Sequence, residues 1–331
     1  MRPPPQQPLF GAPAGPAPAP PDPALATLAG RLPARLRMGT SSWAFPGWAG
    51  LVWDRAWPEE ALSAAGLPAY AQHPLLRAVS LSKAHYALQR ADQLKALVAE
   101  TPADLRLLVK AHEDLTLGRF PPHARYGARR GQRNPRFLDA AWATEAVVGP
   151  TVEGLGPRLG CLLFQLAPQD DDSLGERVID RLHRFIDALP RGPTYAVEVR
   201  NRGLLGPALR AALEAAGAAP CISVHPTLPG VDVQERILGR RGGPLILRWM
   251  LRPDQRYASA KSAWAPFSSL AAPDQQTRQA VTRLTVARLR ADDDVLIIVG
   301  NHAEGSAPLS VLGLAEAVAE RWRSPPDGSA Q

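Results

Sequence analysis

Tyr195-Ala-Val-Glu-Val-Arg-Asn201 is the stretch on which the reading of this chain turns. Tyr195, Val197 and Val199 alternate with Ala196, Glu198 and Arg200, and an alternation of period two is the mark of a β-strand. A strand buried in a parallel sheet is normally a near-continuous apolar run. This one instead carries a carboxylate and a guanidinium on one face, just before the turn Asn201-Arg202-Gly203. The C-terminal ends of parallel strands are where α/β proteins hold their chemistry. Taken alone, the pair fits a structural Glu–Arg contact as well as a site. Its meaning depends on what the other strands aim at the same place.

Seven further segments read as strands: Leu36–Thr40, Ala78–Ser82, Leu105–Lys110, Leu159–Gln165, Cys221–His225, Pro244–Trp249 and Val295–Val299. Helical spacing of apolar residues appears between many of them, over 89–100, 137–148, 176–189, 207–216 and 275–290, and again over 307–321. Eight strands alternating with helices predict an α/β fold, a single-domain (β/α)8 TIM-type barrel over residues 35–322. An open doubly wound sheet is the alternative, but neither G-x-G-x-x-G nor G-x-x-x-x-G-K-[ST] follows any strand. Residues 1–34 are rich in Pro and Ala with almost no periodic apolar signal, and are expected to form a disordered tail. Residues 323–331 are expected to be a second loose end.

Composition narrows the function classes. No apolar run approaches the roughly 18 residues of a membrane span, and the Pro-rich N-terminus lacks the apolar stretch of a secretory signal. A soluble cytoplasmic protein is the expectation, with no membrane partner. Cys161 and Cys221 each sit in an apolar strand and read as small core residues. The net charge of +7 is spread along an Arg-rich chain with interleaved acids, whereas a nucleic-acid footprint needs a cluster. One segment qualifies. The long loop from His112 to Pro135 and its edge carry Arg119, Arg125, Arg129, Arg130, Arg133 and Arg136, with no acid between Asp114 and Asp139. A loop of that length is either functional or disordered, and over a site it would favour an anionic ligand. Trp43, Trp48, Trp53 and Trp57 crowd a Gly/Pro-punctuated loop. They could stack on a base or sugar, or simply cover the end of the core. Nucleic acid is therefore a possible partner, though not the favoured one.

The barrel hypothesis sorts residues by parity. Outward positions meet helices and must be apolar, so polar exceptions point inward. Ser80 and Ser82 oppose Val79 and Leu81, Lys110 opposes Leu107 and Val109, and Glu198 and Arg200 oppose Val197 and Val199. His225 opposes Ile222 and Val224, Arg248 opposes Leu247, and Gln165 and Asn301 stand at or just beyond strand ends. Several polar groups ringed together are costly to desolvate unless they pair or serve a ligand. Lys110, Arg200 and Arg248 suit a clamped phosphate or carboxylate, with Glu198 as the candidate acid or base. Only Glu198, His225 and His302 approach the ring as potential metal ligands, too few for a multinuclear centre, so no metal is expected. No G-x-S-x-G elbow supports a serine triad.

The motifs Gly39-Thr-Ser-Ser-Trp43, Pro46-Gly-Trp48, Lys110-Ala111, Leu163-Phe-Gln-Leu-Ala-Pro168, Val197-Glu-Val-Arg200, Arg248 and Asn301-His302 with Gly305-Ser-Ala307 together resemble the YecE-like family of unknown function (domain of unknown function 72). The resemblance covers residues 36 to 320 and implies a TIM-type barrel, with no activity attached. After the second strand the family usually reads Val-Glu-Ile-Asn-Ser-Thr-Phe-Tyr, where this chain has Val79-Ser-Leu-Ser-Lys-Ala-His-Tyr86. Leu117 stands where a His is usual, and His225 where an Asp is usual. The chain thus resembles a divergent member in which Glu198, Arg200, Lys110 and Asn301 are retained. The functional expectation is an enzyme for an anionic small molecule, without metal or redox cofactor. Glu198 would serve as acid/base, and Trp43, Lys110, Gln165, Arg200, His225, Arg248, Asn301 and His302 would bind substrate. A phosphodiester-binding protein and a scaffold barrel whose catalysis has decayed are the alternatives.

Overall fold

In a computed structural model, which describes residues 15–168, 176–239 and 242–324, eight parallel strands close into one barrel in sequence order. They are β1 (Leu36–Thr40), β2 (Ala78–Leu81), β3 (Arg106–Lys110), β4 (Leu159–Gln165), β5 (Tyr195–Glu198), β6 (Ala219–Val224), β7 (Leu245–Trp249) and β8 (Val295–Val299). β8 pairs back onto β1 over all five of its residues, Leu36 opposite Val295 through Thr40 opposite Val299. The single-domain (β/α)8 expectation holds. Strand boundaries agree with the sequence within about three residues. The largest difference is at β5, where Val199 and Arg200 leave the ladder, so Arg200 hangs beyond the strand end rather than within it.

The parity argument is visible in the packing. Ala78, Leu108, Cys161, Leu163, Ala196, Ala219, Cys221, Ile246, Leu296 and Ile298 form a separate apolar cluster that fills the lumen. Their sequence neighbours Val79, Leu107, Val109, Leu162, Phe164, Val197, Ile222, Leu247 and Ile297 belong to the outer core beneath the helices. Two faces of each strand thus feed two cores, and a polar residue of lumen parity must either lie at a mouth or find a partner inside. β1 and β2 come unusually close. A Cβ on Gly39 would sit 1.6 Å from the carbonyl oxygen of Ala78, so only glycine fits. Beside it the buried Tyr70 hydroxyl receives the Thr40 N–H at 3.0 Å and donates to the Ala78 carbonyl at 2.8 Å. This side-chain bridge extends a ladder in which only two residue pairs are in register.

The N-terminal segment departs from expectation. Residues 1–14 lie outside the described residues, but Pro23–Gly30 form a helix capped by the Asp22 carboxylate, which accepts the Ala24 N–H at 2.8 Å. Leu28 is buried, and Leu25, Ala29 and Leu32 pack on the core around it. Those four residues are an i, i+3, i+4, i+7 stripe with an Asp-Pro start signal, hidden at first sight by the surrounding Pro/Ala composition. At the other end the last helix, Ala307–Arg323, runs to the edge of the expected C-terminal tail, and residues 325–331 lie outside the described part. Among the described residues, no helix is long and apolar enough to cross a membrane.

Candidate functional site

At the C-terminal ends of β3 to β7, the lumen changes from apolar to ionic. Glu198, the last residue of β5, is fully buried, and both of its oxygens are taken. Oε1 meets Nη2 of Arg200 and, at 3.4 Å, the Ser223 hydroxyl. Oε2 meets Nη1 of Arg248, and the Cys221 thiol lies 3.7 Å away. Arg248 comes from β7 and crosses the lumen, because the same Nη1 donates to Gln165 Oε1 on β4 at 3.0 Å. Three strands are therefore tied through one guanidinium at the top of the barrel.

Electrostatics follow from that arrangement. Burial alone would push the Glu198 carboxyl up, but Arg248 and Arg200 outweigh it and hold it below the usual carboxylate range. Glu198 is thus ionised at neutral pH. Cys161 and Cys221, buried in the lumen below, have their thiols pushed up by burial, Cys161 to about 12. They are small core residues, as read from sequence. Lys110 ends β3, half-buried. Burial and the nearby Arg248 lower its amine to about 7, although Glu198 opposes the shift. His225 sits half-buried beyond β6, with Nδ1 2.9 Å from the Thr227 hydroxyl. Burial, helped by Arg200, lowers it to about 4, so it is neutral at physiological pH. His225 also lines a cleft of about 440 Å3 with Arg252, Asp254, Asp274 and Thr277.

Two buried donors of the ring have no partner among the described residues: Nη1 of Arg200 and Nε of Arg248. Buried donors are nearly always satisfied, by protein, water or ligand; eight other buried side-chain polar atoms of the described residues, Arg278 Nε among them, are in the same state. Among the described residues, no three His, Cys, Asp or Glu side chains gather where they could share a metal ion.

Glu198, Arg200, Arg248, Gln165 and Lys110 are brought together as parity predicts, with His225 at their edge. Three other expected binding residues are not. Trp43 is buried in the outer core, its Nε1 donating to the Leu62 carbonyl at 3.0 Å. Trp48 and Trp53 are also fully buried, so these three cover the end of the core, while the half-buried Trp57 has the Arg55 guanidinium 4.2 Å from its ring. Asn301 is a fastener: its Oδ1 accepts the Trp48 indole N–H at 3.2 Å and the Ala307 backbone N–H at 2.8 Å, capping the last helix. His302 lies between Tyr257 and Phe267, with ring centroids 4.5 and 5.2 Å away.

Ser223 was missed in the sequence, although it shares the lumen parity of Cys221 and His225. Its backbone is held from outside the strand by the buried Gln234 amide, which accepts from Ser223 N at 3.1 Å and donates to Ser223 O at 2.8 Å. A second buried pair was also missed. The Glu304 carboxylate receives Nη2 of Arg278 at 2.7 and 2.8 Å and the Asp274 N–H at 2.7 Å. It clamps the loop after β8 to the start of the helix Gln275–Arg290.

The arginine-rich loop is folded, and three of its six arginines meet acids that precede it. Arg125 pairs with Glu113 at 2.6 Å, and Arg129 and Arg136 approach Asp114 at 3.6 and 3.7 Å. The same three guanidiniums lie 4.5 to 4.6 Å from the rings of Phe120, Tyr126 and Trp142. A bridge between Arg119 and Arg133 and a small core of Leu117, Phe120 and Tyr126 complete the unit. The two carboxylates offset two of the six positive charges, and the segment stays basic.

Comparison with known proteins fits this architecture. The chain has no match among curated proteins. A DUF72 family protein from Thermotoga maritima MSB8 superposes with a TM-score of 0.58 at 17% identity, covering 85% of this chain and 98% of that one. A DUF72 family protein from Enterococcus faecalis V583 gives 0.57 at 14% identity, covering 86% and 95%. At such identities the likeness speaks for the fold alone. The family model described as "Protein of unknown function DUF72" matches residues 37–330, which spans the whole barrel, and the chain belongs to that family.

Proposed function

We propose that this chain is a metal-independent enzyme acting on a small molecule that bears a phosphate or carboxylate, bound at the C-terminal mouth of the barrel without a redox cofactor. The observation that supports this most is the pair of unsatisfied buried guanidinium nitrogens, Arg200 Nη1 and Arg248 Nε. An unmade hydrogen bond of this kind costs roughly 1–3 kcal/mol, and an anionic oxygen would relieve it. Charge points the same way: two guanidiniums face a single carboxylate, and Lys110 adds to the positive excess whenever it is protonated. Glu198 is the carboxylate available as acid or base; held ionised with both oxygens engaged, it has no proton to donate and accepts one only when a guanidinium is drawn off to the ligand, and meanwhile it fixes the two arginines that would hold that ligand. Gln165 orients Arg248. The neutral His225, whose Nδ1 accepts the Thr227 N–H at 3.3 Å, keeps its Nε2–H to donate at the rim.

The test is titration calorimetry with inorganic phosphate and small carboxylates on the wild type and on Arg200→Gln, a change outside the strand ladder. A charge-assisted contact contributes about 1.5–3 kcal/mol, so the variant should bind roughly 10- to 100-fold more weakly. Equal binding by both proteins, or none by the wild type, would remove the reading.

A further inference from the structure

We infer that Lys110 is a nucleophilic amine that forms a Schiff base with an aldehyde or ketone carrying a carboxylate or phosphate. This rests on the anion-binding reading above and names its substrate class.

Four observations converge on this residue. First, the chain has only four lysines among 38 basic residues, and one of them occupies the inward end of β3. Arginine cannot lose its proton in a protein, whereas a buried lysine can. Second, Lys110 is half-buried at the C-terminal end of its strand, whereas Lys83, Lys95 and Lys261 are all exposed. Third, the acid beside it is occupied: both oxygens of Glu198 are taken by Arg200 and Arg248. Fourth, the donors left over on those arginines, Nη1 and Nε, are the groups that would hold the anionic end of a substrate next to the amine.

The charged and titratable groups facing Lys110 are Arg248 from β7, Glu198 and Arg200 from β5 and its end, Glu113 from the loop after β3, and His85 from the turn after β2. His85 is itself lowered to about 4, by burial and by Lys110, and its Nδ1 lies 2.8 Å from the Ala111 carbonyl, so it adds no charge at pH 7. Burial and the cations dominate and bring the amine to about 7. A lysine next to other cations in a desolvated site is activated in this way. An amine with the ordinary value near 10.4 is neutral in only about one molecule in 2,500 at pH 7; one near 7 is neutral in about half.

The chemistry balances without an absent cofactor. The Nζ lone pair forms a C–N bond to the carbonyl carbon, giving a carbinolamine. The carbonyl oxygen then leaves as water, taking one amine proton and one proton from solvent, and the nitrogen keeps one proton in the iminium.

Reductive trapping tests this. The folded wild-type chain is incubated at pH 7 with cyanoborohydride and either glyoxylate or acetaldehyde, and the four lysines are read by peptide mass mapping. The hydride converts any iminium to a stable secondary amine. Lys110 should be labelled by glyoxylate at least roughly tenfold faster than Lys83, Lys95 and Lys261, faster by glyoxylate than by acetaldehyde, and more slowly when inorganic phosphate is added. Its rate should level off above about pH 7. Lys110 labelled no faster than the other three, in a protein that still binds phosphate, overturns the nucleophile and leaves the anion site standing. Equal labelling by the two aldehydes, indifferent to phosphate, overturns the substrate class and the anion-binding reading together. Lys110→Met, which keeps the aliphatic stem, should abolish the fast-labelling fraction; a fast fraction that survives places the nucleophile elsewhere.

Discussion

Replacing Glu198 with Gln removes one charge at nearly constant shape, and its cost can be worked from the site. Among the described residues, Glu198 is the only carboxylate in contact with two guanidiniums that are themselves almost fully buried, Arg200 and Arg248 at 9% and 4% side-chain exposure. Gln can still accept from one of them through its single carbonyl oxygen, but its amide end would face the other guanidinium donor to donor. Removing one partner of a buried ion pair costs about 3–5 kcal/mol, because the charge left behind stays desolvated. For a barrel of about 300 residues, an unfolding entropy of roughly 2.1 cal/mol/K per residue makes each kcal/mol worth about 1.6 °C in melting temperature, so Glu198→Gln should melt about 5–8 °C lower. The pH profile should change as well. A carboxyl held below its unfolded value contributes stability above that unfolded value and loses it as pH falls through the folded one. The wild type should therefore lose stability as pH drops below about 4, while Glu198→Gln should lose less over the same range. Calorimetric melting of both proteins between pH 3 and 8 measures this. A variant as stable as the wild type, with an unchanged acid limb, would refute the reasoning and mean that water rather than protein satisfies the two arginines.

Other perturbations separate scaffold from site. Glu304→Gln breaks the second buried ion pair, with Arg278 at 2.7 Å; it should cost about 3–5 kcal/mol in melting experiments yet leave phosphate affinity unchanged within about twofold. Gly39→Ala places a methyl 1.6 Å from the Ala78 carbonyl oxygen, where backbone must shift, so it should cost at least roughly 3 kcal/mol or prevent folding, as read by expression and circular dichroism. Asp114→Asn removes the charge that Arg129 and Arg136 approach. Trypsin should then cut within the 119–136 loop faster than in the wild type, with little change in global melting.

The alternation of strands and helices made the barrel legible in the sequence, and strand parity put Lys110, Glu198 and Arg248 on the lumen side, as the structure has them. Parity works because the lumen and the outer shell impose different chemistry on successive residues, as Ala196 and Val197 illustrate by joining different cores. It says nothing about residues beyond a strand end. Arg200 lies past the ladder yet still reaches Glu198, while Asn301, at an equally suggestive position, turns its Oδ1 to a helix terminus instead. Trp43 was ambiguous for a related reason: an indole can stack on a ligand or seal a core, and only the acceptor of its N–H, the Leu62 carbonyl, decides. For the basic loop, linear charge counting left out Glu113 and Asp114 just before it, which meet three of its arginines. The helix at Pro23–Gly30 was masked by composition, although its cap and its apolar stripe were present.

On the proposed function, the buried arginines of the barrel mouth hold an anion. A crystal structure of the wild type grown with inorganic phosphate tests it most directly. The prediction is a tetrahedral anion within hydrogen-bond distance of Arg200 Nη1 or Arg248 Nε, with Lys110 beside it. A mouth in which both nitrogens are satisfied by water or protein, with phosphate bound elsewhere or nowhere, would contradict it.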